Sequence, residues 1–226
     1  MDHLLDNPAW NALTGPQKLF AEEGAHTARY QKNILPFAAY DHAYPGSIDT
    51  LDPLLERDKP FFLIGELPAI PDHWQVIREL PCYQMILTSA IRPLKLDSPI
   101  RLLDASEREE LYQLVLKVQP GYFERGTPSL GNYYGIRQEG KLVAVAGERM
   151  SVQGMTEISA ICTDPAYTGR GYAQQLITHI CLDQIGRGIV PFLHVLKTNT
   201  RAVGLYEYMG FTTRRSISFW MLSCSR

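Results

Sequence analysis

Two glycines on either side of an arginine form the part of this sequence best suited to bind an anion. Gly169, Arg170 and Gly171 lie between a short apolar segment and a stretch with helical periodicity. Glycine lets a backbone approach a ligand closely. The first amides of a helix have no partner within the helix and lie at the positive end of its dipole. The pattern therefore predicts a phosphate or pyrophosphate site, to which Arg170 adds a positive charge.

The common nucleotide-binding motifs do not fit this loop. A Rossmann motif needs a third glycine, where this chain has Gln174, and an acidic residue about 20 positions later. The corresponding stretch, residues 188–192, contains no carboxylate. A P-loop needs Gly-Lys followed by Ser or Thr, and the sequence has none. The alternative to a binding site is a glycine pair that only makes a tight turn between a strand and a helix.

The composition is that of an ordinary globular protein. The 226 residues are 45% hydrophobic and 20% charged, which excludes a disordered chain, a collagen or a coiled coil. With 22 basic and 24 acidic residues the net charge is −2, so no global positive field attracts nucleic acid or an anionic membrane. The acidic start, residues 1–3, and the lack of a run of about 18 apolar residues predict a soluble cytoplasmic protein.

The four cysteines indicate neither a metal site nor a disulfide framework. Cys82, Cys162, Cys181 and Cys224 form no Cys-x-x-Cys pair and show no ligand spacing with histidine. In a chain long enough to bury its own core, reduced thiols are the ordinary case. We therefore expect no metal and four reduced thiols.

The chain reads as two unequal α/β parts. Eleven of the fifteen prolines lie in the first 100 residues and divide that part into short apolar runs typical of strands, at 37–40, 61–65 and 83–87. A helix near the start would be capped by Thr14, with Pro16 in its first turn. Residues 91–99 resemble a connector. We predict an N-terminal α/β lobe over residues 1–97 and a mixed α/β domain over residues 98–226.

The second part has regular periodicity. Ser106 and Glu109 have the spacing of a capping box for a helix that Pro120 ends. A hairpin is predicted across residues 138–140. The other predicted elements are strands at 100–103, 132–137, 141–150, 157–163, 190–195 and 216–222, and helices from Gly171 and over 201–208.

Two motifs in this part resemble those of the GNAT N-acetyltransferase superfamily. Residues 168–173, Thr-Gly-Arg-Gly-Tyr-Ala, are similar to the Gln/Arg-x-x-Gly-x-Gly/Ala motif that binds the pyrophosphate of coenzyme A. One position departs, because Thr168 stands where Gln or Arg is usual, although its amide and hydroxyl are still hydrogen-bond donors. The second half of the signature matches Asn199, Ala202, Leu205, Tyr206, Gly210 and Phe211. The resemblance covers residues 100–222, and the N-terminal half resembles the degenerate lobe of two-lobed GNATs related to glycine acyltransferases.

The resemblance implies a GNAT fold and direct transfer of an acetyl group from acetyl-CoA to a primary amine on a small molecule or peptide. It also implies that strands 157–163 and 190–195 splay apart and that the pantetheine arm lies between them. A backbone amide of the first strand would polarise the thioester carbonyl. The residues it implies for the co-substrate are Ile161, Cys162, Thr163, Thr168, Gly169, Arg170, Gly171, Tyr172, Ala173, Asn199, Ala202 and Tyr206.

Two catalytic roles follow from the same resemblance. Tyr206 takes the position of the tyrosine that protonates the departing thiolate, and a phenol with an ordinary pKa of about 10 is a donor at neutral pH. Glu157 takes the position of the general base, and its apolar neighbours predict a raised pKa. The alternatives are aromatic packing for Tyr206 and a solvent-facing strand residue for Glu157. A water chain with Glu148 and His194 would be a different base.

Several assignments stay open at this level. Asn199 can bond the pantetheine arm, cap a helix, or do both. Four aromatic residues can line an acceptor pocket or pack in the core: Tyr122, Phe123, Tyr133 and Tyr134. Amino acids, polyamines, antibiotics and protein amines all fit as acceptors. Two other functions compete: a coenzyme A-binding module without catalysis, which the departure at Thr168 favours, and an interaction protein whose glycine loop is structural.

Overall fold

Eleven strands form one mixed sheet in the computed structural model, which describes residues 3–92 and 97–225. The described helices are α1 (Pro8–Leu13), α2 (Arg108–Val118), α3 (Tyr172–Gly186) and α4 (Thr200–Met209). The strands are β1 (Ala21–Gly24), β2 (Thr27–Tyr30), β3 (Phe37–Tyr40), β4 (Phe61–Ile64), β5 (Trp74–Leu87), β6 (Ile100–Leu102), β7 (Tyr133–Gln138), β8 (Lys141–Val152), β9 (Met155–Thr163), β10 (Val190–Leu196) and β11 (Phe211–Cys224).

The sheet joins the two parts of the chain. Its strand order is β1-β2-β3-β4-β11-β5-β10-β9-β8-β7-β6. β5, from the first part, lies between β10 and β11 and is antiparallel to both. Only β3–β4 and β9–β10 are parallel pairs among the described strands. The division into a lobe over 1–97 and a domain over 98–226 stays a prediction, and residues 93–96 of the expected connector lie outside the described residues.

The first helix begins earlier than predicted. α1 runs from Pro8 to Leu13, and Thr14 follows its last turn instead of preceding its first. The expected helix with Thr14 as its N-cap and Pro16 in its first turn is therefore wrong. Pro8 is the proline in the first turn, where the missing N–H has no helical partner to lose.

The capping box before α2 is two residues earlier than predicted. Asp104 accepts a hydrogen bond from the Ser106 amide at 2.7 Å, and the Asp104 amide donates to Glu107 at 2.9 Å. The box expected at Ser106 and Glu109 is wrong because Asp104 already caps a single 3₁₀ turn that leads into the helix.

The β7–β8 hairpin is confirmed. Gln138 pairs with Lys141, which leaves a two-residue turn of Glu139 and Gly140. Both have positive φ, 51° and 81°, as the turn type that suits twisted strands requires.

β5 and β11 are longer than their predicted apolar parts. Both have 14 residues, and they pair over most of that length. β5 continues through Pro81, whose carbonyl accepts a hydrogen bond from the Lys197 amide at 2.9 Å. Proline has no N–H to donate, so Pro81 takes part in the sheet through its carbonyl alone.

Side chains cover both faces of the central strands. On β10, Phe192 belongs to the cluster that α1 covers, and the adjacent Leu193 belongs to the cluster under α3 and α4. A strand buried on both faces is typically a continuous apolar run, as residues 190–195 are apart from His194. All four cysteines are buried, and no disulfide joins them. Within the described ranges, no helix is long and apolar enough to cross a bilayer.

Candidate active site

β9 and β10 pair at one end and separate at the other. They pair in parallel as far as Glu157 and Phe192, and along the described chain the pairing stops there although both strands continue. A bulge bends β9 away. Ala160 has a φ of 51°. The register of the pairing with β8 shifts between Ser159 and Cys162, which lie on either side of it. The splayed strands are confirmed. We call the space between them, beyond Glu157 and Phe192, the gap.

The backbone of β9 turns one edge toward the gap. The Asp164 amide donates to the Val143 carbonyl on β8 at 2.8 Å. In an extended strand the N–H and C=O of one residue point to the same edge, and those of the next residue point to the other edge. The N–H and C=O of Thr163 and Ile161 therefore point away from β8. Cys162 between them is buried, and burial raises the pKa of its thiol to about 12. The thiol stays protonated and is not an activated nucleophile.

The glycine loop has the geometry of an anion site. Gly169 and Gly171 have φ values of 79° and 73°, which glycine adopts without strain. Gly171 precedes the first turn of α3, and no side chain caps that helix end. Gln175 is the first residue of α3 whose amide bonds back to Gly171. The amides of residues 172–174 are thus donors at the positive end of a helix of 15 residues.

The two polar side chains of this loop take different positions. The Thr168 hydroxyl donates to the Pro165 carbonyl at 3.2 Å, so in this arrangement the Thr168 amide is its donor toward a ligand. The guanidinium of Arg170 lies 5.0 Å from the centre of the Tyr167 ring. Stacking on an aromatic face holds an exposed arginine beside the loop.

Tyr206 reaches the gap from α4. Its side chain is buried and packs against Phe211, with the ring centres 6.2 Å apart. Burial, and to a smaller extent the nearby Cys162 thiol on β9, raise the pKa of Tyr206 above its ordinary value. The phenol is therefore a proton donor at neutral pH, and it lies near Cys162 on β9.

Asn199 caps α4. Its side-chain oxygen accepts a hydrogen bond from the Ala202 amide at 3.2 Å. The helix-cap interpretation is confirmed. The two N–H donors of the side chain take no part in this bond.

Glu157 is not the carboxylate we expected. It is fully buried, and Arg149 donates two hydrogen bonds to it, at 2.8 and 2.6 Å. Burial, the largest single influence, would raise its pKa, but the Arg149 guanidinium and the hydrogen bond from His194 together outweigh burial and lower the pKa to about 2. The expected raised pKa is wrong, and so is the solvent-facing alternative, because both were judged from neighbours along the strand and the deciding charge comes from β8.

His194 has a partner on each ring nitrogen. Nδ1 is 2.8 Å from Glu157, and Nε2 is 3.0 Å from the side-chain nitrogen of Gln84. Gln84 also donates to the Leu5 carbonyl at 2.8 Å and accepts from Arg214 at 2.7 Å. A carbonyl only accepts and a guanidinium only donates, so the amide orientation is fixed. His194 therefore accepts at Nε2 and carries its proton on Nδ1.

These groups continue to the surface. Arg214 donates to Asp6 at 2.6 Å, and Arg215 donates to the same oxygen at 2.7 Å. We call the connected series the polar chain; its members are Arg149, Glu157, His194, Gln84, Arg214 and Asp6. Sequence reasoning did not find Arg149 or Gln84. The sequence signal that could have found them is a polar residue inside an otherwise apolar strand, such as Gln84 within residues 83–87.

Glu148 belongs to a different network. Its carboxylate accepts hydrogen bonds from the Asn132 amide at 3.0 Å, from Gln184 at 3.1 Å and from Arg187. These contacts anchor α3 to β8. Glu148 and His194, which we considered together as a water chain, make their hydrogen bonds in separate networks.

The four candidate pocket aromatics lie in different places. Tyr122 packs on Phe62, and Tyr134 packs on His179 of α3. Tyr133 and Phe123 pack edge to face, with ring centres 5.7 Å apart. Only this last pair shares a cluster with Ala160 and Cys162 of β9. The four residues do not line one pocket.

A further cluster of polar and cysteine side chains lies where β5 begins and β11 ends. Asp52 has one carboxylate oxygen 2.7 Å from His73 Nε2 and the other 2.6 Å from the Trp74 indole nitrogen. Cys224 Sγ is 3.9 Å from the second oxygen. Both oxygens of this largely buried aspartate accept hydrogen bonds, which satisfies its polar atoms and ties the 45–54 segment to the sheet.

Comparisons with known proteins concentrate on the part of the chain that contains this site. The FR47-like protein family model matches residues 133–221. The N-alpha-acetyltransferase RimI of Mycobacterium tuberculosis is 40% identical over 98 residues, which are 41% of this chain and 60% of that protein. This chain thus matches less than two thirds of the length of RimI.

Solved structures extend the likeness to the whole chain. A putative acetyltransferase from the GNAT family of Novosphingobium aromaticivorans is 34% identical, with 100% of both chains covered and a TM-score of 0.90. A GCN5-related N-acetyltransferase from Kribbella flavida is 14% identical over 94% of this chain and 95% of its own, with a TM-score of 0.61. The second likeness concerns the fold alone. The first spans both parts of the chain, and with the mixed sheet it confirms the expected fold: this protein belongs to the GNAT family of acetyltransferases.

Proposed function

We propose that the protein transfers an acetyl or short acyl group from acetyl-CoA to a primary amine while both substrates are bound. One observation carries the proposal. The splayed end of β9 has an unpaired edge, α3 begins soon after this strand without a side-chain cap, and the buried Tyr206 lies near Cys162 of β9; these features would supply a binding edge, an anion site and a proton donor. The similarity to the N-alpha-acetyltransferase RimI makes an α-amine one candidate acceptor. Small-molecule amines are the other.

The loop and the strand would bind different parts of the co-substrate. The amides of residues 172–174, with Gly169 and Arg170 beside them, suit a pyrophosphate. The edge of β9 suits an extended arm that carries its own amides, because the N–H and C=O groups of Ile161 and Thr163 can pair with it. The proposed contacts are Ile161, Cys162, Thr163, Thr168, Gly169, Arg170, Gly171, Tyr172, Ala173, Asn199, Ala202 and Tyr206.

The reaction requires one bond to form and one to break. The neutral amine attacks the thioester carbonyl carbon, a C–N bond forms, and the C–S bond breaks with its electrons on sulfur. Tyr206 gives its proton to the thiolate, and a backbone amide of β9 polarises the carbonyl. The amine loses its extra proton to water. Glu157 is a poor proton acceptor because its pKa is lowered to about 2, so we assign it to positioning Arg149 and His194.

The direct test is release of coenzyme A from acetyl-CoA in the presence of a panel of amines, including peptides with free N-termini, polyamines and aminoglycosides. We expect turnover with at least one amine. We expect Tyr206→Phe to lower kcat by 10²- to 10⁴-fold, the usual contribution of a positioned acid, with acetyl-CoA binding retained. Full turnover in this variant would remove the acid role. Thermal stabilisation by acetyl-CoA without turnover on any amine would favour a binding module instead.

A further inference from the structure

The hydroxyl of Tyr133 is a buried polar group without a hydrogen-bond partner among the residues that the structure describes. The residue is 3% exposed. Native proteins keep few such groups, because a hydroxyl taken out of water and left unpaired destabilises the fold. Three other buried polar atoms share this property. They belong to His42 after β3 and to Thr178 and Gln184 of α3, whereas Tyr133 is in the cluster that contains Ala160 of the bulge on β9.

A glycine on the neighbouring strand lets the Tyr133 ring occupy its position. Tyr133 on β7 is paired with Gly147 on β8, and Gly147 is paired with Ser159 on β9. A Cβ at Gly147 would lie 2.3 Å from an atom of the Tyr133 ring. The Tyr133 ring therefore packs against the backbone of β8 at Gly147, between β7 and β9.

The place that the ring reaches is the start of the gap. Tyr133 shares a cluster with Ala160, the residue of the bulge, and with Cys162. The ring of Phe123 holds it edge to face. Tyr206 belongs to the cluster on the other face of the sheet, with α3 and α4. The two phenols thus approach β9 from opposite faces.

The charges near Tyr133 suit an uncharged partner. Burial raises the pKa of this phenol, so it stays neutral, and Arg149 is among the charges that act on it. The two carboxylates that act on Tyr133 are each held by an arginine, Glu157 by Arg149 and Glu148 by Arg187. A free carboxylate would favour the ammonium form of an amine, which has no lone pair for attack. A neutral phenol leaves the amine in its nucleophilic form.

We propose that Tyr133 is a catalytic residue on the acceptor side, whose hydroxyl oxygen accepts a hydrogen bond from an N–H of the acceptor amine and directs the nitrogen lone pair at the thioester carbonyl. This inference rests on the proposed function. It assigns the acceptor to the α2 face of the gap and the departing sulfur to the α4 face, where Tyr206 lies.

The test compares two chemically identical substitutions, Tyr133→Phe and Tyr30→Phe. The Tyr30 hydroxyl is also buried, but it donates to Gln17 at 2.6 Å. Loss of a partnered hydroxyl destabilises, while loss of an unpartnered one does not. We expect Tm to fall in Tyr30→Phe and to stay unchanged or rise in Tyr133→Phe. With an amine that the wild type accepts, we expect Tyr133→Phe to lower kcat/KM for the amine about tenfold, the size of one neutral hydrogen bond, and to leave KM for acetyl-CoA within about twofold.

Each other result counts against the proposal. An unchanged kcat/KM for the amine in Tyr133→Phe would overturn the contact. A fall in Tm equal to that of Tyr30→Phe would show that the hydroxyl has a structural partner. A rise in KM for acetyl-CoA with no change for the amine would move the contact to the other substrate. If the wild type uses no amine at all, the proposed function itself fails, and the Tm comparison, which needs no turnover, still shows whether the Tyr133 hydroxyl is unpartnered.

Discussion

The polar chain and the gap lie side by side on β9 and differ in one respect. In the polar chain every named group has a partner: Arg149 with Glu157, Glu157 with His194, and His194 with Gln84. In the gap the strand edge, the first amides of α3 and the Tyr133 hydroxyl find none among the described residues. Buried polar groups that satisfy one another hold a fold in place, and unsatisfied ones are retained where a ligand completes them.

The largest effect should come from breaking the polar chain. Glu157→Gln leaves Arg149 buried without a countercharge, and we expect a loss of about 3–5 kcal/mol in the free energy of unfolding, measured by chemical denaturation. Glu109→Gln is the matched control. Its carboxylate pairs with Arg125 at the surface, where both side chains are more than half exposed, and we expect a loss below about 1 kcal/mol. A stable Glu157→Gln variant without turnover would instead restore Glu157 as the base.

The same carboxylate predicts a dependence of stability on pH. Its pKa is lowered from 4.5 to about 2 in the folded protein, so its contribution is fully present above pH 4.5 and is lost as the pH falls toward 2. We expect the free energy of unfolding of the wild type to fall across this range, and the fall to be smaller in Glu157→Gln. Parallel curves for the two proteins would contradict the lowered pKa.

A smaller effect should come from crowding the Tyr133 side of the gap. Gly147→Ala places a methyl group against the Tyr133 ring, and we expect a loss of about 1–3 kcal/mol together with lower turnover. Gly204→Ala is the control. Gly204 lies in α4 with no atom near a new Cβ, and alanine there should stabilise by about 0.5–1 kcal/mol. If both substitutions left stability and turnover unchanged, the ring would not be confined as described.

The smallest effect separates the two roles of Asn199. Asn199→Ala removes the cap of α4 and should cost about 1 kcal/mol. Asn199→Asp keeps the capping oxygen, so we expect wild-type stability, but it removes both N–H donors and should weaken acetyl-CoA binding. Binding can be measured by calorimetry. Wild-type affinity in Asn199→Asp would limit this residue to its role as a cap.

The sequence predicted the elements that border the gap, but it did not predict the contacts of the polar chain. The glycine loop, the strands on either side of the gap and Tyr206 lie within one stretch of the chain, where spacing along the sequence carries the information. The polar chain joins residues from distant segments, Asp6, Gln84, Arg149 and Arg214. Neighbours along β9 suggested a raised pKa for Glu157, and the residue opposite it on β8 lowers the pKa instead.

The sequence also did not predict how far the long strands β5 and β11 extend. The first part of β5 alternates little in polarity, because residues 75–79 are exposed, and apolar periodicity therefore identified only its buried end. Where β5 lies in the sheet follows from pairing with strands made much later in the chain, a feature that local patterns do not encode.

The place of β5 in the sheet has a consequence for synthesis on the ribosome. Its two neighbours, β10 and β11, are translated only after α3, so both edges of β5 stay open while the residues between Leu87 and Val190 are added to the nascent chain. Open strand edges invite pairing with other chains, and contacts between distant segments form slowly. Closure of the central sheet is therefore a late event, and protection of the emerging first part by a chaperone should matter more for the yield of this protein than for one whose strands pair in the order they are made.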